Sequence, residues 1–189
     1  GTARFTSATA SSGTERVAEV ARTAEAQVVI NVQGDEPLIQ AEMVDQLVEF
    51  LERHQAVPMA SLMTRLRPED LANPNVVKVV VDQDGFALYF SRAPIPCERA
   101  DRPTGERTDR YKHLGIYGYQ RNFLLQFPSL EPTPLEQAEQ LEQLRALEHG
   151  YRIKVLETVH DTIGVDTPDD LARVEALLSK GSSALRVER

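Results

Sequence analysis

Two aspartates stand where the chain is expected to turn from strand to helix. Asp35 lies in Gln33-Gly34-Asp35-Glu36-Pro37, directly after an apolar run at 27–32. Asp166 lies in Gly164-Val165-Asp166-Thr167-Pro168. Ligands of α/β sheets collect at such strand ends. Two carboxylates there would make a hard, oxygen-rich site. Mg²⁺ favours one or two protein carboxylates, with water and phosphate oxygens filling its other positions. Each aspartate also has a plainer reading. Asp35 can cap its own turn, and Asp166 sits beside Thr167, which opens a helix without it.

Four further groups could meet a polar substrate. His113 and Tyr117 are four apart in Lys112-His113-Leu114-Gly115-Ile116-Tyr117-Gly118-Tyr119. On a strand that spacing puts both on one face, as a core pair or as a pocket wall. Arg92 ends the run Leu88-Tyr89-Phe90-Ser91-Arg92. Its fork matches the two oxygens of a carboxylate, unless it is simply an exposed strand end. Glu142 falls at helical spacing between Ala138 and Ala146, with Gln143 and Arg145 as polar neighbours. It can reach a groove or lie on a solvated face. Lys78 is expected to face solvent from its strand. His54, His149 and His160 form no ligand-like group, and Cys97 has no base beside it in sequence. No GxGxxG or Walker loop occurs.

The elements that must position these groups alternate between strand and helix. Ser12-Gly13-Thr14-Glu15 has capping-box spacing, and Val17, Val20, Ala21 and Ala24 continue it as a helix over 14–25. A buried strand is expected at 27–32, then a helix with Met43, Leu47, Phe50 and Leu51 on its core side, then a strand at 58–66. Residues 76–81 and 86–90 flank Asp82-Gln83-Asp84-Gly85, which reads as a β-hairpin. Residues 99–110 read as a polar loop, 113–119 as a strand, 134–148 as one helix stopped by Gly150, and 151–159 as a strand. Thr167-Pro168-Asp169-Asp170 is a strong helix start, with Leu171, Val174, Leu177 and Leu178 as its apolar face. This order predicts a single domain: a three-layer α/β/α sandwich, with a mostly parallel sheet and a hairpin insert.

Composition narrows the function. The 189 residues are 41% hydrophobic and 26% charged, ordinary for a folded domain. Lys and Arg number 21 against 29 Asp and Glu, so the net charge is 21 − 29 = −8. An acidic chain without a basic stripe is a poor nucleic-acid binder. A single cysteine rules out an internal disulfide and suits a reducing cytoplasm. No apolar run approaches the roughly 18–20 residues that span a bilayer, so no membrane insertion is expected.

Six segments taken in order carry a family resemblance. They are Ser12-Gly13-Thr14-Glu15-Arg16, Asn31-Val32-Gln33-Gly34-Asp35-Glu36-Pro37, Tyr89-Phe90-Ser91-Arg92-Ala93-Pro94-Ile95-Pro96, His113 to Tyr119, Leu141-Glu142-Gln143-Leu144-Arg145 and Gly164-Val165-Asp166-Thr167-Pro168. Together they resemble the 3-deoxy-manno-octulosonate (Kdo) cytidylyltransferases, over almost the whole chain. The resemblance implies a nucleotide-diphospho-sugar transferase-like fold. It implies the reaction of CTP with Kdo to give CMP-Kdo and pyrophosphate, for lipopolysaccharide synthesis. By resemblance, Asp35 and Asp166 hold Mg²⁺ and are catalytic. Ser12, Gly13 and Gln33 line the nucleotide side. Gln33, Arg92, His113, Tyr117, Glu142 and Gln143 form the sugar pocket, and the enzyme is a cytoplasmic homodimer.

Two departures qualify this. The family opens with a strand and a loop resembling Pro-Ala-Arg…Ser…Arg-Leu-Pro-Gly-Lys, whose cations grip the triphosphate, and nothing like it occurs here. Gly1 therefore reads as an internal position of a longer protein or a processed end, with the first quarter of the domain absent and this chain alone weak or inactive. The family's usual His two residues before the Ser of Ser-Gly-Thr is Ala10 here. The competing readings are a cytidylyltransferase for another acidic sugar and a non-catalytic sugar-binding chain.

Overall fold

The structure, a computed structural model, describes residues 1–10, 12–99, 108–165 and 167–179. In chain order the elements are α1 (Gly13–Ala21), β1 (Val28–Val32), α2 (Ala41–Arg53), β2 (Met59–Arg65), β3 (Lys78–Val81), β4 (Ala87–Ser91), β5 (Tyr111–Gln120), α3 (Arg121–Gln126), α4 (Pro134–Glu139), α5 (Gln143–Glu148), β6 (Ile153–Glu157) and α6 (Pro168–Ser179).

The strands form one sheet in the order β4-β3-β5-β2-β6, with β1 also paired to β5. β2 shows why this sheet needs cover on both sides. Met59 and Met63 enter one apolar cluster with Ala18, Ala21, Phe123, Phe127 and Leu144. Ala60 and Leu62 enter another with Met43, Leu47 and Leu51 of α2. Alternate residues point to opposite faces, so both faces are apolar and helices cover each. The expected three-layer sandwich is what forms.

The sheet is mixed, where a mostly parallel one was expected. Among the described strands only β2–β6 pair in parallel, while β1, β2 and β3 all pair antiparallel to β5. Strands β1, β2, β3 and β6 do run the same way. The reversed β5 lies between them, so strand direction and strand pairing give different answers.

That central strand also creates the site. Along one edge of β5, β1 pairs with residues 116–120 and β3 with residues 111–112. On the other edge the register shifts between Ser61, opposite Tyr117, and Leu62, opposite Leu114. β5 is therefore irregular on both edges around Gly115, and a cleft opens there.

Local rules set several boundaries. Ser12 caps α1, its side chain accepting from Glu15 N at 3.2 Å. The helix ends at Ala21, four residues earlier than expected. The hairpin turn places Gly85 at φ +74, a conformation that favours glycine. At α6, Thr167 Oγ1 accepts from Asp170 N, and Asp170 Oδ2 accepts from Thr167 N. The expected apolar face of α6 forms in part: Val174 is buried, but Leu171 and Leu178 are exposed. The helix expected over 134–148 is two helices, because Gln140 adopts a left-handed φ of 54 between them. Helical periodicity survives such a one-residue break, which is why the pattern concealed it.

Candidate active site

One cleft of about 590 Å³ opens beside Gly115. Gln33, Asp35, Arg92, His113, Tyr117, Glu142 and Gln143 all line it. These come from the end of β1, the end of β4, the middle of β5 and the α4–α5 break. Ser12 and Gly13 are not among its lining. They form the start of α1, and the next residue, Thr14, donates from its hydroxyl to Glu142 Oε2. Asp166 lies outside the described residues. Its neighbour Val165 donates from its backbone N–H to the Asp35 carbonyl at 2.9 Å.

The α4–α5 break decides how Glu142 is presented. It is the residue before α5 rather than part of a continuous helical stripe, so the chain turns at Gln140 and offers Glu142 and Gln143 together. Glu142 Oε1 and Gln143 Nε2 are buried without a protein partner. Buried polar atoms are nearly always paired. An orphan acceptor and an orphan donor side by side on a cleft wall suit a ligand carrying hydroxyls.

His113 sits at the cleft floor. Its Nε2 lies 2.8 Å from Ser61 Oγ, which itself donates to the Ile116 carbonyl at 2.8 Å. With the serine proton so used, Nε2 carries the imidazole hydrogen and Nδ1 is left as an acceptor. Burial, reinforced by the Lys112 charge, pushes the imidazole down to about 3, so it is neutral at ordinary pH. Tyr117 stacks obliquely on it, ring centroids 5.4 Å apart. Burial raises the Tyr117 phenol well above its usual range. The pair offers neutral hydrogen-bonding groups, not charge.

Arg92 is held rather than free. Its Nε donates to the Glu139 carbonyl at 2.8 Å and its Nη1 to the Pro74 carbonyl at 2.9 Å. Its backbone N–H donates to Glu139 Oε2 at 2.9 Å. Burial works against the Glu139 carboxylate. The Arg92 N–H, Ser91, Tyr89 and the Arg92 charge outweigh it and bring the acid below its ordinary value.

Lys78 corrects the sequence reading most sharply. It is fully buried. Its Nζ donates to the carbonyls of Asn73 (2.9 Å), Val76 (2.6 Å) and Arg92 (2.5 Å). Burial lowers its pKa, and nearby Glu139 offsets part of the effect. Sequence reasoning also passed over Glu36, Glu139, Thr14, Ser61 and the Lys112–Asp161 pair. One signal was present: Lys78 is a lone cation inside the apolar run 76–81, a poor solvent-facing strand.

Across the cleft, Lys112 Nζ donates to buried Asp161 Oδ1 at 2.8 Å and to the Thr162 carbonyl at 2.6 Å. Burial raises the Glu36 carboxyl, partly countered by Thr162 and Lys112. The lining acids are Asp35, Glu36, Asp70, Glu142, Asp169 and Asp170, against the cations Arg67, Arg92, Lys112 and Arg173. Among the described residues, no group of three or more His, Cys, Asp or Glu is arranged to hold a metal by itself, and no helix is long and apolar enough to cross a membrane.

A polar cleft at strand ends of a three-layer sandwich, with hydroxyl-matching groups on one wall and an exposed carboxylate at its rim, suits a nucleotidyltransferase. Sequence comparison gives the same class: the family model described as cytidylyltransferase matches residues 1–154. The chain belongs to the 3-deoxy-manno-octulosonate cytidylyltransferase family. It is 50% identical over 188 residues to the member from Geotalea uraniireducens (strain Rf4), covering 95% of this chain and 75% of that one. It is 51% identical over 175 residues to the member from Solibacter usitatus (strain Ellin6076), covering 92% and 68%. A solved structure of CMP:2-keto-3-deoxy-manno-octonic acid synthetase complexed with CTP superposes with a TM-score of 0.83 at 40% identity, covering 92% of this chain and 70% of that one.

Proposed function

We propose that this cleft joins CTP to Kdo, giving CMP-Kdo and pyrophosphate. The observation that carries the reading is the convergence of Gln33, Asp35, Arg92, His113, Tyr117, Glu142 and Gln143, distant in sequence, on one cleft. The anomeric hydroxyl oxygen of the sugar attacks the α-phosphorus of CTP. The bond from that phosphorus to the bridging oxygen breaks, pyrophosphate leaves, and the hydroxyl proton passes to solvent. The protein's part is to hold two anions in line.

Each wall has a task in this reading. Arg92, fixed by three carbonyl and carboxylate contacts, receives the sugar carboxylate. Glu142 Oε1 and Gln143 Nε2 receive sugar hydroxyls, and His113 Nδ1 accepts one more. Gln33, with Ser12 and Gly13 at the start of α1, serves the nucleotide side.

The donor set fits a divalent cation. Six lining acids face four cations, and the substrate is itself polyanionic. Asp35 is exposed and its carboxylate accepts no hydrogen bond from a described residue. One or two carboxylates with phosphate and water oxygens form the usual Mg²⁺ environment. Asp35 would hold the ion, with Asp166 as second carboxylate on the family pattern. Held there, Mg²⁺ would screen the phosphates and stabilise the leaving pyrophosphate. The same reading places the enzyme in the cytoplasm as a homodimer, with the β3–β4 hairpin as the interface to test.

The test is pyrophosphate release from CTP and Mg²⁺ with and without Kdo. Release that depends on the sugar supports the reaction. No release from folded protein with Kdo, but release with another acidic sugar, would reassign the substrate.

A further inference from the structure

Among the described residues the buried Lys78 ammonium has no direct ion pair, yet all three of its N–H donors are used. Their acceptors are the backbone carbonyls of Asn73, Val76 and Arg92. Two of these belong to the segment between residue 73 and β3, which lines the cleft through Asn73, Asn75 and Val76. The third belongs to Arg92. The Arg92 guanidinium in turn docks on Pro74 of the same segment.

Lys78 therefore reaches Arg92 by two routes. It fixes the Arg92 backbone directly, and it fixes the loop on which the guanidinium rests. In the sheet Lys78 pairs with Ser91, the residue before Arg92, so the anchor and the group it anchors are adjacent across strands. A neutral amide side chain has two N–H donors and could staple two carbonyls at most. Satisfying three that converge from two elements takes an ammonium with three donors.

We propose that Lys78 is a positioning residue for the sugar-acid end of the cleft, acting through Arg92. This rests on the proposed reaction, in which Arg92 receives the sugar carboxylate. Removing Lys78 should then weaken use of the acidic sugar while sparing use of CTP. A role confined to stability would lower the folded fraction and leave both KM values of the folded enzyme alone.

The experiment measures KM for Kdo and for CTP, per folded enzyme, in the full-length protein and in Lys78→Met, Arg92→Ala and the double variant. Lys78→Met is expected to raise the KM for Kdo on the order of tenfold, with the KM for CTP within about twofold. In the Arg92→Ala background the further loss from Lys78→Met should shrink to about twofold or less, because the two residues act as one unit. Lys78→Gln, which keeps a neutral donor, stands in if Lys78→Met does not fold. Additive losses, equal changes in both KM values, or no change overturn the inference. So does failure of both Lys78 variants to fold, which would make the residue structural. A wild-type protein without Kdo-dependent turnover rejects the reaction itself, and this inference with it.

Discussion

The imidazole of His113 and the hydroxyl of Ser61 lie 2.8 Å apart on neighbouring strands under the cleft, the imidazole N–H donating to a hydroxyl whose own proton goes to the Ile116 carbonyl. The His113 imidazole, held at about 3 by burial, stays neutral in the folded state, while in the unfolded chain it titrates near 6.5. Between those values the unfolded state binds more protons, so stability falls as pH drops from 6.5 toward 3. The full shift corresponds to about 5 kcal/mol. Denaturant unfolding of wild type and His113→Asn across that window should show a shallower pH slope in the variant. Parallel slopes would mean that His113 is not the titrating group. Above pH 6.5 the imidazole contributes no pH dependence to turnover.

Thr14 and Glu142 give a second prediction. The Thr14 hydroxyl donates to Glu142 Oε2, and Thr14 and Asn31 beside the Tyr119 phenol offset part of the rise that burial gives it. The network links α1, β1, β5 and the α4–α5 break. Thr14→Val keeps the shape and removes the donor, leaving both Glu142 oxygens unpartnered. A stability loss of about 1–3 kcal/mol is expected, with a several-fold rise in the KM for Kdo as the carboxylate loses its orientation. Thr14→Ser should restore most of both. Thermal melts and steady-state kinetics on the three proteins decide it, and a Val variant with wild-type kinetics would remove Glu142 from the sugar pocket.

How far the sequence reached depends on the kind of contact. Single-residue chemistry at element ends was visible: Ser12 before α1, Thr167-Pro168 before α6, Gly85 in the hairpin, and the polar groups at Gln33, Asp35 and Arg92. Each is set by backbone rules that act within a few residues. The contacts of Lys78, Glu139 and Ser61 come from strand order and loop placement, which local pattern does not carry. The reversed β5 belongs here too: its own alternation is ordinary, and only its place between β1, β2 and β3 makes the pairing antiparallel. The Gln140 break was hidden because apolar spacing on either side still fits one helix.

In the proposed reaction Asp35 is a carboxylate that acts and Asp161 one that supports. Asp35 is exposed, so Asp35→Asn should leave the melting temperature within about 1–2 °C while lowering turnover at least a hundredfold at fixed Mg²⁺. Asp161 is buried and receives Lys112 at 2.8 Å, with Arg67 at 3.6 Å. Asp161→Asn leaves the partly buried Lys112 without its counter-charge; breaking a fully buried pair costs about 3–5 kcal/mol, and a loss below that range is expected here. Parallel melts and Mg²⁺ titrations test both. An unchanged metal dependence and rate in Asp35→Asn would withdraw that residue from the metal site.

Two glycines on β5 should separate activity from stability in the same way. A Cβ on Gly118 would lie 2.6 Å from Leu51 Cδ1 and 3.2 Å from Ile30 Cδ1. Both neighbours are core side chains packed between β1 and α2, so Gly118→Ala must displace them. Overpacking of this kind costs about 1–3 kcal/mol, and turnover per folded molecule should change little. A Cβ on Gly115 instead meets Glu36 Oε1 at 3.0 Å and Gln33 Oε1 at 3.6 Å. Those are flexible tips on the cleft wall, so they can move, and Gly115→Ala should cost under about 1 kcal/mol. Moving them shifts Gln33, which is assigned to the nucleotide side, so the KM for CTP should rise several-fold while the KM for Kdo changes less. Urea unfolding and paired kinetics on both variants give the readout. If Gly115→Ala lost stability as Gly118→Ala does, without a change in KM for CTP, the opening at Gly115 would be a packing feature and not the nucleotide side of the cleft.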